Sequence, residues 1–140
     1  MKYNELTEGT LAARVEFPDV PAKNMEIVTA LMEDPNPIHF DRRAVEEMDW
    51  PGLINQGPIN MAYVSQAALA VADSPTDVVS MSFRFESNVF EGEDVASTAT
   101  VTDRYREDGD GYVELELALE KEDGDTPVSG TATVLVPLED

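Results

Sequence analysis

The second half of the chain alternates apolar and polar residues in four separate runs, and this pattern most constrains the fold. The runs span residues 79–86, 95–102, 113–120 and 128–136. Short acidic turns that contain glycine separate the last three, at 107–111 and 122–125. Alternation of this kind is typical of half-buried strands, and short turns join antiparallel neighbours. We therefore predict an antiparallel sheet with one apolar face, which needs a cover.

One long segment is suited to provide that cover. Residues 59–72 are apolar on nearly every side of a helix, as expected for a buried helix. Pro58 suits the first helical position, which places Gly57 at the N-cap. A curved antiparallel sheet wrapped around one long central helix is the simplest α+β packing of these parts. At 140 residues, the chain is expected to form a single domain over 1–140.

Three shorter elements precede the long helix. A loose alternation over 9–17 predicts a first strand. The pattern over 22–32 predicts a helix with one apolar face. That face comprises Ile27, Val28 and Leu31. Asp41 is a good N-cap for a short helix over 42–48. The inward positions of that helix are Ala44, Val45 and Met48.

The stretch 33–41 between these helices contains the only histidine of the chain. The prolines at 35 and 37 push Asp34 and Asn36 away from helix, so we expect an extended path from Asp34 to His39. A stiff connection can hold a carboxylate and an imidazole at a set separation, as an acid–base pair requires. The same residues also fit a plain turn, because Asp-Pro and Asn-Pro commonly start turns.

The chain is strongly and evenly acidic. It has 29 Asp and Glu against nine Lys and Arg, a net charge of −20. Self-repulsion of this size destabilises a compact state at low salt. At molar salt the Debye length falls to about 3 Å, which screens the repulsion. We predict a halophilic protein of a salt-rich cytoplasm, with an acidic surface for a basic partner as the alternative. Nucleic-acid binding is disfavoured because it requires the opposite charge.

Several classes of protein and site are disfavoured by what the sequence lacks. No apolar run is long enough to span a membrane, and the N-terminal residues lack the apolar core of a signal peptide. We therefore expect a cytoplasmic protein. The chain has no cysteine, which excludes disulfides and thiolate metal ligands. A single histidine offers no metal cluster, so no metal site is expected.

The motif Asp34-Pro-Asn36-Pro-Ile-His39, followed by Ile-Asn-Gln-Gly at 54–57 and an alanine-rich helix, resembles the MaoC-like hydratases. These include the (R)-specific enoyl-CoA hydratases. The resemblance covers most of the chain in order and spacing. It implies a hotdog fold, a homodimer, and interconversion of trans-2-enoyl-CoA and (R)-3-hydroxyacyl-CoA, as in fatty acid metabolism. Coenzyme A would be part of the substrate, with no separate cofactor.

The resemblance also implies roles for individual residues. Asp34 and His39 would hold and activate the attacking water, and Asn36 would help to fix the loop. The backbone amide of Gly57 would donate to the thioester carbonyl. The hydroxyl of Ser65 matches a position that supports the catalytic aspartate, although it would also fit a bond to the carbonyl four residues earlier.

Two positions depart from the family pattern and leave alternatives open. Glu33 stands where the family usually has glycine, and it places a second carboxylate beside Asp34. Gln56 stands where the family usually has histidine; it can form hydrogen bonds but cannot titrate. One alternative function is therefore a non-catalytic hotdog subunit that binds acyl-CoA. Another is a hotdog acyl-CoA thioesterase.

Positive charges matter because an anionic substrate is repelled by a chain of charge −20 unless cations are placed locally. We expect three arginines to form surface ion pairs, with one or two of them meeting the CoA phosphates. These are Arg84, Arg104 and Arg106.

Overall fold

The computed structural model of the chain describes residues 1–138. The helices and strands in chain order are β1 (Leu11–Phe17), α1 (Ala22–Met32), α2 (Arg42–Glu47), α3 (Gly57–Val71), β2 (Val78–Phe85), β3 (Val95–Glu107), β4 (Asp110–Lys121) and β5 (Val128–Val136). Single 3₁₀ turns lie at Tyr3–Glu5, Pro37–His39 and Pro75–Asp77. The predicted strands and helices are all present, with shifted ends.

The strands form one sheet of order β1-β3-β4-β5-β2, antiparallel throughout. This confirms the predicted α+β architecture. β3 and β4 extend further than their alternating runs. The turn between them, predicted over 107–111, contains only residues 108 and 109. Asp108 and Gly109 both have positive φ, 52° and 90°, which matches the twist of a tight hairpin. β1 and β2 are the two edges of the sheet.

The core lies between α3 and the inner face of the sheet. From α3 it takes Ile59, Val64, Ala67, Ala68 and Val71. From β4 it takes Val113, Leu115, Leu117 and Leu119. At Gly130 in β5, an added Cβ would lie 2.3 Å from the carbonyl oxygen of Ser82, so β2 and β5 approach closely there. The ring of Phe83, paired with Gly130 across the strands, covers the gap that glycine leaves.

Parts of the predicted core are instead exposed. On α1, Ile27 and Leu31 do share a face, but they are 46% and 78% exposed, and the fully buried residue is Met25. The long helix α3 was predicted to be buried on nearly every side. One side is accessible instead, where Met61 is 41% exposed. In the helix predicted over 42–48, Val45 is buried as expected, whereas Met48, the C-cap of α2, is exposed. Helical spacing identifies an apolar face but not whether anything packs against it.

The edge strand β2 keeps most of its apolar side chains accessible. Val79 is 58% exposed and Phe85 is 52% exposed. Of the four apolar positions of its alternating run, Phe83 is the one that packs against the core. In a single chain, β2 and the neighbouring side of α3 therefore present an exposed apolar surface, which we call the β2–α3 face. We define it by Met61, Val79, Met81 and Phe85.

None of the helices in residues 1–138 is both long and apolar enough to cross a bilayer.

Candidate active site

Helix α1 delivers the chain to Asp34 through a left-handed residue. Glu33, the C-cap, has φ 51° and ψ 38°, a conformation that usually selects glycine. The amide of Asp34 then donates to the carbonyl of Thr29 at 3.1 Å. The Glu33 side chain is exposed, while Asp34 is half-buried. The second carboxylate therefore does not share a buried environment with the first.

The two prolines produce a short extended path and then a turn. The amide of Asn36 donates to Oδ1 of Asp34 at 3.0 Å, which orients the carboxylate. The Oδ1 atom of Asn36 in turn accepts from the amide of Ile38 and caps the 3₁₀ turn Pro37–His39. The expected extended path therefore ends at Asn36, because the side-chain cap favours a turn from there on.

His39 is buried and held in one tautomer. Its Nδ1 lies 2.7 Å from the carbonyl oxygen of Ile54, which can only accept, so Nδ1 carries a proton. Its Nε2 lies 3.5 Å from Oδ2 of Asp34. The side chains of His39 and Asp34 are 10% and 28% exposed. The structure therefore brings the two predicted catalytic residues together. The Nε2 atom of the buried imidazole faces the half-buried carboxylate of Asp34.

The segment that anchors His39 also leads into α3. The amide of Ile54 donates to the carbonyl of Ile38, and the amide of Asn55 donates to the carbonyl of Val89. Ile54 therefore bonds to the backbone of Ile38 and to the side chain of His39. Gly57 follows three residues later. The imidazole and the start of the long helix are fixed to the same short length of backbone.

Gly57 is the first residue of α3, and Gln56 is its N-cap, one position earlier than predicted. The amide of Gly57 belongs to the first turn, whose N–H groups have no partner inside the helix. The helix dipole favours negative charge at this end. Gly57 is exposed, and the nearest atom to an added Cβ would be in the ring of Phe85 at 3.8 Å. The amide therefore lies at an open position of the site.

Gln56 joins α1 to the start of α3, a role that the sequence did not predict. Its Nε2 donates to the carbonyl of Met25 at 2.9 Å and to Oγ1 of Thr29 at 3.0 Å. Gln56 is 3% exposed. We call this set of contacts the Gln56 bridge. Because Thr29 also accepts from the amide of Asp34, the bridge links the aspartate to the helix that carries Gly57. The one hint in the sequence was Thr29, a hydrogen-bonding residue in an otherwise apolar turn of α1.

Ser65 is bonded within its own helix. Its hydroxyl donates to the carbonyl of Met61 at 2.6 Å, the local bond expected of a serine inside a helix. Support of Asp34 by Ser65 stays a prediction.

The arginines take different positions from one another. Arg104 donates to the carbonyl of Tyr3 at 2.8 Å, and its guanidinium lies 4.9 Å from the centre of the Tyr3 ring. Arg106 lies 5.1 Å from the same ring. Both guanidinium groups therefore contact the N-terminal segment through Tyr3. We had expected them to form ion pairs with acidic side chains. Arg84 is exposed on β2.

A further arginine fixes α2, the helix that follows His39. Arg42 forms an ion pair with Glu91, and this hydrogen bond raises the pKa of Arg42. Within the described part of the chain, no three histidine, aspartate or glutamate side chains converge as metal ligands.

The profile of the family described as "MaoC like domain" matches residues 8–123. The chain belongs to the MaoC-like domain family. Its predicted hotdog fold is confirmed by similar solved structures. The (R)-hydratase PhaJ1 of Pseudomonas aeruginosa is 22% identical with a TM-score of 0.78, over 99% of this chain and 86% of that one. No protein of curated function matches the sequence significantly.

Two further structures support the same assignment of fold. The (R)-hydratase of A. caviae involved in PHA biosynthesis is 26% identical with a TM-score of 0.73, over 94% of this chain and 98% of that one. The MaoC-like dehydratase of Rhodospirillum rubrum is 16% identical with a TM-score of 0.79, over 100% and 99%. This MaoC-like chain therefore shares its fold with hydratases and dehydratases over nearly its full length.

Proposed function

We propose that this MaoC-like chain is a hydratase that adds water to trans-2-enoyl-CoA and gives (R)-3-hydroxyacyl-CoA, and that it catalyses the reverse dehydration. The observation that carries the proposal is the pairing of Asp34 and His39. In the neutral imidazole, Nε2 is an acceptor because the proton lies on Nδ1. It faces a carboxylate oxygen, also an acceptor, at 3.5 Å.

Two acceptors this close are best satisfied by one donor that reaches both. A water molecule can donate one hydrogen to Oδ2 of Asp34 and the other to Nε2 of His39. Its lone pairs then face away from both groups and are free to attack an electrophilic carbon. As the oxygen bonds to Cβ of the enoyl thioester, one proton of the water passes to the Asp34–His39 pair. The pair then gives this proton to Cα, which completes the addition and restores both groups. Each positioned acid–base group of this kind contributes about 10²–10⁴-fold to the rate.

The backbone amide of Gly57 would stabilise the thioester oxygen during the reaction. Attack at Cβ moves negative charge onto the thioester oxygen, and a helix N-terminus stabilises charge there. Removing one such donor typically costs about 10²–10³-fold in kcat. Gly57 carries no side chain between this amide and the open side of the site, which suits a donor that must reach a substrate.

The proposal is tested by following loss of the enoyl-thioester absorbance with crotonyl-CoA in 2 M KCl. Asp34→Asn and His39→Ala should each lower kcat by at least about 10²-fold with unchanged circular dichroism. Asp41→Asn, a change at a helix cap in the same loop, is the matched control and should keep near-normal kcat. Near-normal turnover by either site variant would refute the assignment.

Two further measurements separate the alternative functions. A thioesterase would release free CoA thiol, which a thiol reagent detects. A folded chain without turnover on any enoyl-CoA, but with measurable acyl-CoA binding, would favour a non-catalytic subunit. We keep the hydratase as the main proposal because the 3.5 Å separation of His39 Nε2 and Asp34 Oδ2 supports a water shared between them.

We further propose that the protein is a homodimer that buries the β2–α3 face. Its accessible apolar side chains lie beside an unpaired sheet edge, which is a surface suited to pairing with another chain. A two-fold axis would place β2 beside its own copy. Sedimentation at high salt should give a dimer for the wild type and a monomer for Met81→Glu. A monomeric wild type would refute this proposal.

A further inference from the structure

Two buried asparagines pair across the start of α3. Asn55 and Asn60 are each 4% exposed, and Nδ2 of Asn55 donates to Oδ1 of Asn60 at 3.1 Å. The bond joins the segment before the helix to the first turn of the helix itself. We call this contact the asparagine clamp. The backbone that it encloses includes Gly57.

Stability alone does not explain the asparagine clamp. In residues 1–138, Oδ1 of Asn55 is buried and accepts no hydrogen bond. A buried acceptor without a donor costs free energy, whereas an apolar pair of the same shape would be nearly neutral or stabilising at these positions. Such departures from local rules are expected at functional sites. The clamp therefore points to a role in geometry.

The clamp ends on the peptide group that holds His39. The carbonyl of Ile54 and the amide of Asn55 belong to one planar peptide. Its oxygen lies 2.7 Å from Nδ1 of His39, and its N–H donates to the carbonyl of Val89 at 2.9 Å. The side chain of Asn55 leaves from the Cα at one end of this plane. Through Asn60 it ties that end to α3 and gives the plane a third fixed point.

The position of this carbonyl decides which nitrogen of the neutral imidazole carries the proton. Two acceptors compete for it: the Ile54 oxygen beside Nδ1, and the carboxylate of Asp34, 3.5 Å from Nε2. The carboxylate is the stronger acceptor by nature, because hydrogen bonds to charged groups are roughly twice as strong as neutral ones. The proton therefore stays on Nδ1 only while the carbonyl is held at its short distance.

We propose that Asn55 and Asn60 are positioning residues for His39. The clamp keeps the Ile54 carbonyl at Nδ1, so Nε2 remains an acceptor for the water that it shares with Asp34. In the opposite tautomer, Nε2 would donate to the carboxylate and could no longer accept from that water. The effect of the clamp on turnover rests on the proposed hydratase function. Its effect on the tautomer does not.

The tautomer can be measured directly, because His39 is the only histidine of the chain and ¹⁵N-histidine labelling gives one pair of ring signals. Their chemical shifts report which nitrogen carries the proton. In 2 M KCl at pH 8.5, the wild type should show a protonated Nδ1 and an unprotonated Nε2. Asn60→Leu removes the acceptor for Asn55 and should move most of the population to a ring protonated on Nε2. With crotonyl-CoA its kcat should fall about tenfold, while KM changes less than about twofold.

Two further variants separate positioning from stability and keep the test decisive if Asn60→Leu fails to fold. Asn60→Asp keeps an acceptor oxygen for Asn55, so its tautomer should match the wild type although burial of a carboxylate lowers its Tm. The double variant Asn55→Leu/Asn60→Leu leaves neither amide without a partner and should be more stable than Asn60→Leu. It should still show the shifted tautomer. Asn88→Leu, which replaces an exposed asparagine, is the matched control and should keep the wild-type tautomer and kcat.

A ring protonated on Nδ1 in both leucine variants would overturn the proposal, whatever their Tm, and so would a wild type protonated on Nε2. A shifted tautomer in Asn60→Asp would also overturn it, because lost stability would then explain the change. Unchanged kcat in a variant with a shifted tautomer would remove the link to turnover. The expected tautomers without turnover on any enoyl-CoA would instead refute the hydratase and leave the clamp in place.

Discussion

Replacing Gln56 tests the contact that holds the two halves of the candidate site together. Gln56→Leu keeps the size of the side chain but removes both donated hydrogen bonds, to Met25 and to Thr29. Each net hydrogen bond is worth about 1 kcal/mol, and a buried group left without a partner costs about 1–3 kcal/mol. The Thr29 hydroxyl can turn back to the carbonyl of Met25 and recover part of the loss. We therefore expect a net destabilisation of about 1–3 kcal/mol.

The measurement is thermal unfolding followed by circular dichroism in 2 M KCl. For a chain of this length, about 1 kcal/mol shifts Tm by about 3–5 °C, so Gln56→Leu should lower Tm by about 3–15 °C. Gln56→Glu should cost more at pH 7, because a carboxylate would face the carbonyl of Met25 in a buried position. Towards pH 4 the difference should narrow, since a protonated carboxyl can donate to that carbonyl.

Gln66→Leu is the matched control, because Gln66 lies exposed on the same helix. Its Tm should change by no more than about 2 °C. The Gln56 bridge also places α3 relative to Asp34, so kcat of Gln56→Leu with crotonyl-CoA should fall about tenfold, as small misplacements do in catalytic sites. A Gln56→Leu variant as stable and as active as the wild type would refute the reasoning.

Two further predictions concern stability. Glu33→Gly should raise Tm by about 2–4 °C, because it relieves about 1–2 kcal/mol of left-handed strain and costs about 0.5–1 kcal/mol in backbone entropy. Glu33→Ala removes the same charge but keeps the strain, so equal Tm values for the two variants would contradict this explanation. Tm of the wild type should rise by at least about 10 °C between 0.1 and 2 M KCl, as repulsion within a chain of charge −20 is screened. A flat or falling Tm over that range would count against the halophile hypothesis.

The catalytic loop shows how far local sequence can go. Two prolines and a capping Asn36 fix the path of the backbone within six residues, so the proximity of Asp34 and His39 follows from chemistry that is written locally. The distance between His39 Nε2 and Asp34 Oδ2 does not follow from local sequence. It depends on the carbonyl of Ile54, which holds Nδ1 of the imidazole from fifteen residues away. A contact of this kind leaves no periodic pattern in the sequence.

Gln56 illustrates the same limit from the opposite side. The sequence identified it as a departure from the family pattern, at a position where it could only form hydrogen bonds. Its partners, Met25 and Thr29, lie on another helix and are set by how α1 packs beside α3. Only the tertiary structure could give this polar side chain a part in linking Asp34 to the start of α3.

The strands, the long helix and the antiparallel hairpins could be predicted from sequence, because backbone periodicity and turn residues are local properties. The family could be recognised from the motifs at 34–39 and 54–57. The tertiary structure decided which apolar faces are covered. Ile27, Leu31 and Phe85 occupy positions that suit a core, yet they stay exposed because no part of residues 1–138 packs fully over them. Burial depends on the arrangement of whole elements, and a single chain can leave an apolar face open for a ligand or a partner.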